Sequence, residues 1–315
     1  MRRLLLTGLA LAVAGGLGLL RPAAAAPTQA QPCGGEPLAP GPAAAPALAA
    51  PGGSPDAPGA ADGRPEAFTP DAAAFDALLT REGARVRMSA FETSFAHASP
   101  SQAANIALVA RRLTGTVVAA GASFSYNGTV GPYTAAGGFG WGRMFVGERI
   151  VPTIGGGVCQ GSSTLYNAVL LANLTVLERH QHGLTVPYLP PGRDATVTES
   201  GGLDFRFRNT SAGPIVLWGA AGGRRLSVAI YGSAAPPPVH IETQVLSRRP
   251  FRTDVLADPD LPRGQEQVAA AGQEGATSRT WVVVEAAGGT VRRYLGEDSY
   301  RPSPRVILRG TGAPA

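Results

Sequence analysis

Lysine is absent from this 315-residue chain, and all 27 of its strongly basic side chains are arginine. This absence excludes lysine Schiff bases, a phosphate-loop lysine and serine–lysine dyads. Aromatic residues make up only 6% of the chain and are not interleaved with basic clusters, so nucleic acid is not an expected partner. No apolar run long enough to cross a bilayer follows the first 26 residues. We expect no cofactor and no metal.

The first 66 residues have the composition of a leader and a spacer. Two arginines, an apolar run and a group of alanines give residues 1–26 the layout of a secretory signal. Residues 27–66 contain ten of the 28 prolines and almost no large apolar side chains, so they predict a disordered linker. We therefore expect an extracytoplasmic bacterial protein, either secreted or associated with the cell wall.

Only two cysteines are present, Cys33 and Cys159, so a single disulfide is possible. Cys33 lies in the proline-rich tract, and a bond to it would consume the thiol that follows the glycine run. We therefore expect Cys159 to be a free thiol and Cys33 to be incidental, with the disulfide as the alternative.

The segment 155–160, GGGVCQ, is the candidate centre of the functional site. Its three glycines hold the backbone open before Cys159, and a helix is predicted over 161–174. A thiol in the first turn of a helix lies at the positive end of the helix dipole, which favours the thiolate. The pattern predicts a nucleophile, and a small buried core cysteine is the alternative.

Acyl transfer by a thiol also needs hydrogen-bond donors for the oxyanion. The backbone N–H groups of Gly157, Val158 and Cys159 are the candidate donors, which would explain why side chains are absent there. The candidate oxyanion and substrate-binding residues are Gly155, Gly156, Gly157, Gln160, Ser163 and Trp141.

The glycine-rich loop 131–142 could exclude water from such a site. It carries Tyr133, Phe139 and Trp141 and is long enough to line a cleft. The alternative is a loop that packs down on its own aromatic residues.

The stretch 175–182 alternates as a strand and supplies the candidate base. Because side chains alternate along a strand, Glu178, His180 and His182 share one face. His182 is the candidate base, and His180 is its rival. The two histidines with Cys159 or Glu178 would alternatively be acceptable zinc ligands.

The remaining patterns predict an α+β fold of two domains after the linker. Helices are predicted over 70–81 and from Ser99-Pro100 to Leu113, and antiparallel strands alternate with them. A proline cluster near 234–238 separates a mixed domain, 67–233, from a small all-β domain, 236–315. In the second domain, polar loops are expected between these strands: 239–245, 280–285, 290–294 and 305–308.

The first of these domains resembles the VanW family, named from vancomycin-resistance clusters, over residues 85–232. The resemblance lies in an ordered set of blocks: Asn105, GASFSYN at 121–127, GGGVCQ at 155–160, STLYN at 163–167, Glu178-Arg179 with His182, PPGRDATV at 190–197 and DFRFRN at 204–209. The tail over 239–311 is similar to the G-five domain, a small β module.

The resemblance implies work on peptidoglycan by L,D-transpeptidase-like chemistry. In that reaction a cysteine attacks a stem-peptide carbonyl, expels D-alanine and passes the acyl group to an amine. The family's cysteine, histidine and aspartate fall on Cys159, His182 and Asp194. Asp194 would orient the histidine or bond the turn after Gly192. The alternative function is a non-catalytic wall-binding module that holds a stem peptide or glycan and is linked to glycopeptide resistance.

Overall fold

The computed structural model describes residues 67–146, 149–198 and 202–313. The signal predicted over 1–26 and the linker predicted over 27–66 lie outside the described residues. Within the described part of the chain, no helix has both the length and the apolar character needed to span a membrane.

Four helices lie in the first half of the described chain. Asp71 and Ser99 cap the first two helices, accepting hydrogen bonds from Ala74 N and Gln102 N at 2.7 and 3.2 Å. These caps lie where the sequence predicts helix starts. The helices are α1 Ala72–Glu82, α2 Pro100–Leu113, α3 Tyr126–Val130 and α4 Val158–Leu171.

Nine strands accompany these helices. A four-stranded antiparallel sheet has the order β1-β9-β8-β2, a three-stranded sheet has the order β3-β7-β6, and β4 and β5 form a hairpin. The strands are β1 Val86–Ser94, β2 Val117–Val118, β3 Ser123–Ser125, β4 Trp141–Val146, β5 Arg149–Ile154, β6 Thr175–Glu178, β7 Arg206–Arg208, β8 Ile215–Gly222 and β9 Arg225–Gly232.

Helices α2 and α4 form the centre of the core. Both contact the large sheet and each other, and Ile106, Leu113, Leu165 and Leu170 are fully buried between these layers. Burying a side chain of this size contributes about 1.5–3 kcal/mol to folding. The same packing fixes the N-terminal end of α4, where Cys159 lies.

The second half of the described chain is all β. Two three-stranded sheets have the orders β10-β13-β14 and β11-β15-β12, and the pair β11–β15 is parallel. The strands are β10 Val239–Arg249, β11 Thr253–Pro262, β12 Glu266–Gln273, β13 Gly275–Ala286, β14 Gly289–Tyr300 and β15 Ser303–Gly312.

The predicted α+β class is confirmed, with the helices confined to the first part. The expectation of polar loops is wrong for 253–262 and 266–273, which form β11 and β12, whereas Gly264 lies in a turn between them as expected. Both strands have burial patterns dominated by exposed and half-buried residues, so they lack the apolar alternation by which a strand is recognised.

Candidate functional site

The glycine run ends where α4 begins. Gly157 is the N-cap residue and has a φ of 105°, a left-handed conformation that glycine adopts without steric cost. The helix starts at Val158 rather than at the predicted 161, so Cys159 lies within the first turn. The sulfur-bearing residue is half-buried at the positive end of the helix dipole.

Close backbone contacts explain why glycine occupies this turn. A Cβ on Gly156 would lie 2.5 Å from Arg143 N, and one on Gly157 would lie 3.0 Å from Ile106 Cγ1. Asn105, buried on α2, donates from Nδ2 to Gly140 O and to Gly156 O, both at 2.9 Å. The run is therefore packed between α2 and the start of β4.

One of the three expected oxyanion donors is used within the turn itself. The Val158 N–H donates to Gly155 O at 3.1 Å, so the expectation for Val158 is corrected. Gly157 and Cys159 stay candidates for that role.

Cys159 is disulfide-bonded, so the expectation of a free thiol is wrong for this structure. The chain's second cysteine, Cys33, lies outside the described residues. The Cys159 sulfur lies 3.6 Å from Thr196 Oγ1 and 3.6 Å from Val197 O. These contacts place the sulfur against the segment 193–197.

Helix α4 holds that segment through its polar side chains. Ser162 Oγ donates to Ala195 O at 2.6 Å, and Ala195 N donates to Ser163 Oγ at 2.9 Å. One turn further on, Asn167 Nδ2 donates to Arg193 O at 2.8 Å. The motifs STLYN (163–167) and PPGRDATV (190–197) are therefore hydrogen-bonded to each other. We call this contact between α4 and the segment 193–197 the seam.

His182 and Asp194 form a buried pair at this seam. The Asp194 carboxylate accepts hydrogen bonds at Oδ2 from His182 Nδ1, at 2.6 Å, and from the backbone N–H of His182, at 2.7 Å. His182 is 6% exposed and Asp194 is 1% exposed. The aspartate thereby fixes the orientation of the imidazole ring.

The other carboxylate oxygen of Asp194, Oδ1, also has polar partners. Tyr300 Oη donates to Oδ1 at 2.5 Å, and Arg179 Nη2 lies 3.3 Å from the same oxygen. Burial alone would raise the pKa of Asp194. The hydrogen bond from His182 and the charge of Arg179 outweigh it and hold the pKa well below its ordinary value.

His180 lies in a different environment from His182. Its Nε2 lies 3.0 Å from Glu178 Oε1, and the two side chains are 36% and 28% exposed. Its backbone pairs with Thr196 through an isolated bridge, which puts His180 and His182 beside the segment 194–196. His180 belongs to the solvated side of this strand pair.

Two residues predicted to bind substrate are buried in the core instead. Gln160 Nε2 donates to Thr93 Oγ1 and to Ser94 O, both at 3.0 Å, and so joins α4 to β1. Ser163 is fully buried and bonds the seam. Both side chains act in packing, which corrects the expectation of a ligand contact.

The aromatic residues of the loop 131–142 also differ in burial. Tyr133 and Phe139 are buried and meet edge to face at 5.7 Å, so they pack the loop down instead of lining a cleft. Trp141, at the start of β4, is 50% exposed and is the aromatic side chain of this loop that faces solvent.

The zinc alternative finds no support in the donor set. Among the described residues, no three or more histidine, cysteine, aspartate and glutamate side chains are grouped so as to hold a metal ion.

Sequence reasoning did not assign a role to Arg179, Thr196, Asp298 or Tyr300, all of which contact the seam. Arg179 and Thr196 lie inside the family blocks, which was the available signal. Tyr300 lies 106 positions from Asp194 and had no such signal.

Fold and site together define an α+β unit joined to an all-β module. In the α+β unit the half-buried Cys159 and the buried His182–Asp194 pair lie beside the same segment, 193–197. The family described as VanW like protein matches residues 101–231, and the G5 domain family matches residues 241–312. The chain therefore carries a VanW-like domain followed by a G5 domain, and the resemblance seen in the sequence is confirmed.

A curated protein is similar to part of this chain. The chain is 38% identical over 147 residues to the uncharacterized protein YoaR of Bacillus subtilis strain 168, over 47% of this chain and 48% of YoaR. It thus spans about half the length of this curated relative.

Two solved structures are similar to the G5 part. One is the IgA1 protease G5 domain, at 23% identity and a TM-score of 0.17, over 26% of this chain and 99% of that one. The other is the HP0197 G5 domain, at 18% identity and a TM-score of 0.14, over 23% and 97%.

Proposed function

We propose that this protein modifies peptidoglycan outside the cytoplasm, as a cysteine-dependent acyltransferase of the L,D-transpeptidase type. One observation carries the proposal: Thr196, whose hydroxyl lies 3.6 Å from the Cys159 sulfur, is two residues from Asp194, which orients His182. The candidate nucleophile, Cys159, and the candidate base, His182, therefore both contact the segment 194–196.

The reaction would proceed through a thioester. The Cys159 thiolate attacks the carbonyl carbon of the stem peptide, and the C–N bond to D-alanine breaks while His182 protonates the leaving amine. An acceptor amine then attacks the thioester and gives a proton back to His182. The C–S bond breaks, a new amide forms and the thiolate is regenerated.

The reactive form is the reduced one. Cys159 is disulfide-bonded here, so a dithiol reductant must first release the thiolate by thiol–disulfide exchange. Its position in the first turn of α4 then favours ionisation, because the helix dipole stabilises negative charge.

The domain composition and the leader support the location and the substrate. VanW and G5 domains are typical of cell-wall proteins outside the cytoplasm. The sequence of residues 1–26 has the layout of a secretory signal.

The test uses the full chain with a stem tetrapeptide that ends in D-alanine, with and without a dithiol reductant. The reduced wild type should release D-alanine and gain the mass of the acyl group at Cys159. Cys159→Ala should do neither, and the matched variant Cys33→Ala should react even without reductant. Absence of both D-alanine release and adduct from reduced wild type would contradict an enzymatic function.

A second candidate, a non-catalytic wall-binding protein, is favoured by the disulfide state of Cys159. It predicts that Cys159→Ala binds isolated cell walls as well as the wild type does. It also predicts that no variant forms an adduct. A cell-wall sedimentation assay run beside the adduct measurement separates the two functions.

A further inference from the structure

We propose that the G5 domain completes the VanW-like site, with Tyr300 and Asp298 as positioning residues for the His182–Asp194 pair. The catalytic consequence rests on the proposed function, whereas the structural claim does not. In this account the β module is a component of the site in addition to any binding role it has.

Tyr300 joins the G5 domain directly to Asp194. It is the last residue of β14 and is fully buried. Its hydroxyl donates to Asp194 Oδ1 at 2.5 Å and accepts the Gly192 N–H at 2.7 Å. The phenol therefore holds both the carboxylate and the turn that precedes it.

Asp298 acts through Arg179. Its two carboxylate oxygens accept hydrogen bonds from Arg179 Nη1 at 2.6 and 2.8 Å. The same guanidinium donates from Nε to Asp194 O at 2.7 Å, and its face lies over the Tyr166 ring at 5.3 Å. Since Arg179 and Asp298 are largely buried, this pair is shielded from solvent.

Both oxygens of Asp194 are held, and the contact from the G5 domain is made at Oδ1. Oδ2 faces His182, and Oδ1 faces Tyr300 and Arg179. A carboxylate fixed at both oxygens cannot rotate without breaking a buried hydrogen bond, which costs about 1–3 kcal/mol. The direction of the His182 ring therefore depends on a residue of the other domain.

The two domains are closely packed around Gly192. Thr280 Oγ1, on β13, donates to Gly192 O at 3.3 Å. A Cβ on Gly192 would lie 2.3 Å from the same hydroxyl, and the φ of Gly192 is 90°. The G5 domain is thus packed directly on the turn that leads into Asp194.

The test compares two tyrosines of β14 in the full chain. Tyr300→Phe removes the hydroxyl on Asp194, and Tyr294→Phe changes an exposed residue of the same strand, which makes it the matched control. The readout is the Nδ1-bound proton of His182, observed by NMR of protein labelled with ¹⁵N-histidine. This signal requires neither activity nor a reduced cysteine.

In Tyr300→Phe, the Nδ1 proton should move upfield and exchange with water about tenfold faster, because the carboxylate that accepts it has lost its shortest hydrogen bond at Oδ1 and is held there by Arg179 alone. Tyr294→Phe should match the wild type. A His182 signal unchanged in Tyr300→Phe would overturn the proposal, and so would an equal change in both variants.

Asp298→Asn provides the second variant if Tyr300→Phe does not fold. It keeps the side-chain shape and removes the charge that holds Arg179, so the same change is expected in smaller degree. If Asp298→Asn leaves the proton signature as in wild type, the proposal is wrong. In the D-alanine release assay, Tyr300→Phe should lower kcat with little change in KM. Failure of that assay in the wild type would count against the proposed function alone.

Discussion

The VanW-like seam and the outer surface of the G5 domain use the same charged residue types in opposite ways. Around Asp194, the side chains of Arg179, His182 and Asp298 are at most 14% exposed. On the G5 sheets, the ion pairs Arg279–Glu297 and Arg309–Glu266 have side chains that are 43–59% exposed.

Burial decides where a charged side chain has structural consequences. A buried charge that loses its partner is left uncompensated, whereas an exposed pair contributes about 0–1 kcal/mol and is screened by salt. The seam should therefore be sensitive to single substitutions, and the G5 surface should not be.

Asp194→Asn should have the largest effect. The amide cannot accept both His182 hydrogen bonds and also balance Arg179, so the free energy of unfolding should fall by roughly 3–5 kcal/mol. Urea denaturation of the full chain measures this change. A loss below about 1 kcal/mol would show that the seam tolerates the missing charge. The buried seam would then be no more sensitive to substitution than the exposed G5 surface.

The pH dependence of stability should separate the two buried aspartates. The pKa of Asp194 is lowered, so its ionised form stabilises the fold above the ordinary pKa, and this is lost as the pH falls towards the folded pKa. Burial raises the pKa of Asp298 against the opposing effect of Arg179, so lower pH favours its folded state.

Acid titration of stability checks these signs. Below about pH 4, the stability difference between wild type and Asp194→Asn should shrink, and that between wild type and Asp298→Asn should grow. Parallel changes in the two variants would contradict the assignment of opposite shifts.

His180→Asn should have a smaller effect than any change at His182. The His180–Glu178 pair is partly exposed, so the free energy of unfolding should change by at most about 1 kcal/mol. D-alanine release should be retained, as measured in the assay for the proposed function. Loss of activity here would move the role of base from His182 to His180.

Glu266→Gln in the G5 domain should have the smallest effect. Its partner Arg309 is 59% exposed, so the expected change in unfolding free energy is within about 0.5 kcal/mol. Repeating the denaturation at high salt should remove what remains, because salt screens exposed charges. A change as large as that of Asp194→Asn would erase the difference between the two regions.

Local signals in the sequence were sufficient for much of the fold. Ser99-Pro100 marked the start of α2, because a serine cap and a proline in the first turn satisfy the helix end. The start of α4 was predicted three residues late, since glycines 155–157 hide the helical pattern and their role in packing depends on α2. Strands β11 and β12 were missed because exposed and half-buried residues dominate both, so neither has a buried apolar face to mark it.

The site could be predicted only as far as its residues lie within the family blocks. Cys159 and His182 were predicted from local patterns, and Asp194 came from the resemblance alone. In the structure Asp194 is hydrogen-bonded to His182, and the Cys159 sulfur lies 3.6 Å from Thr196 Oγ1. Gln160 could not be assigned to the core from the sequence, because its partner Thr93 lies 67 positions away. Tyr300 could not be found, since its contact depends on how two domains pack.

In the proposed function, Cys159 and the His182–Asp194 pair form one reactive site. The most direct test is the rate at which iodoacetamide alkylates Cys159 in a Cys33→Ala background, compared between His182→Gln and His180→Gln. His182→Gln should slow alkylation at neutral pH by about tenfold and His180→Gln should leave it within about twofold, since His182, and not His180, is the proposed base for the thiol. Equal rates in the two variants would show that His182 and Cys159 do not share a reactive site.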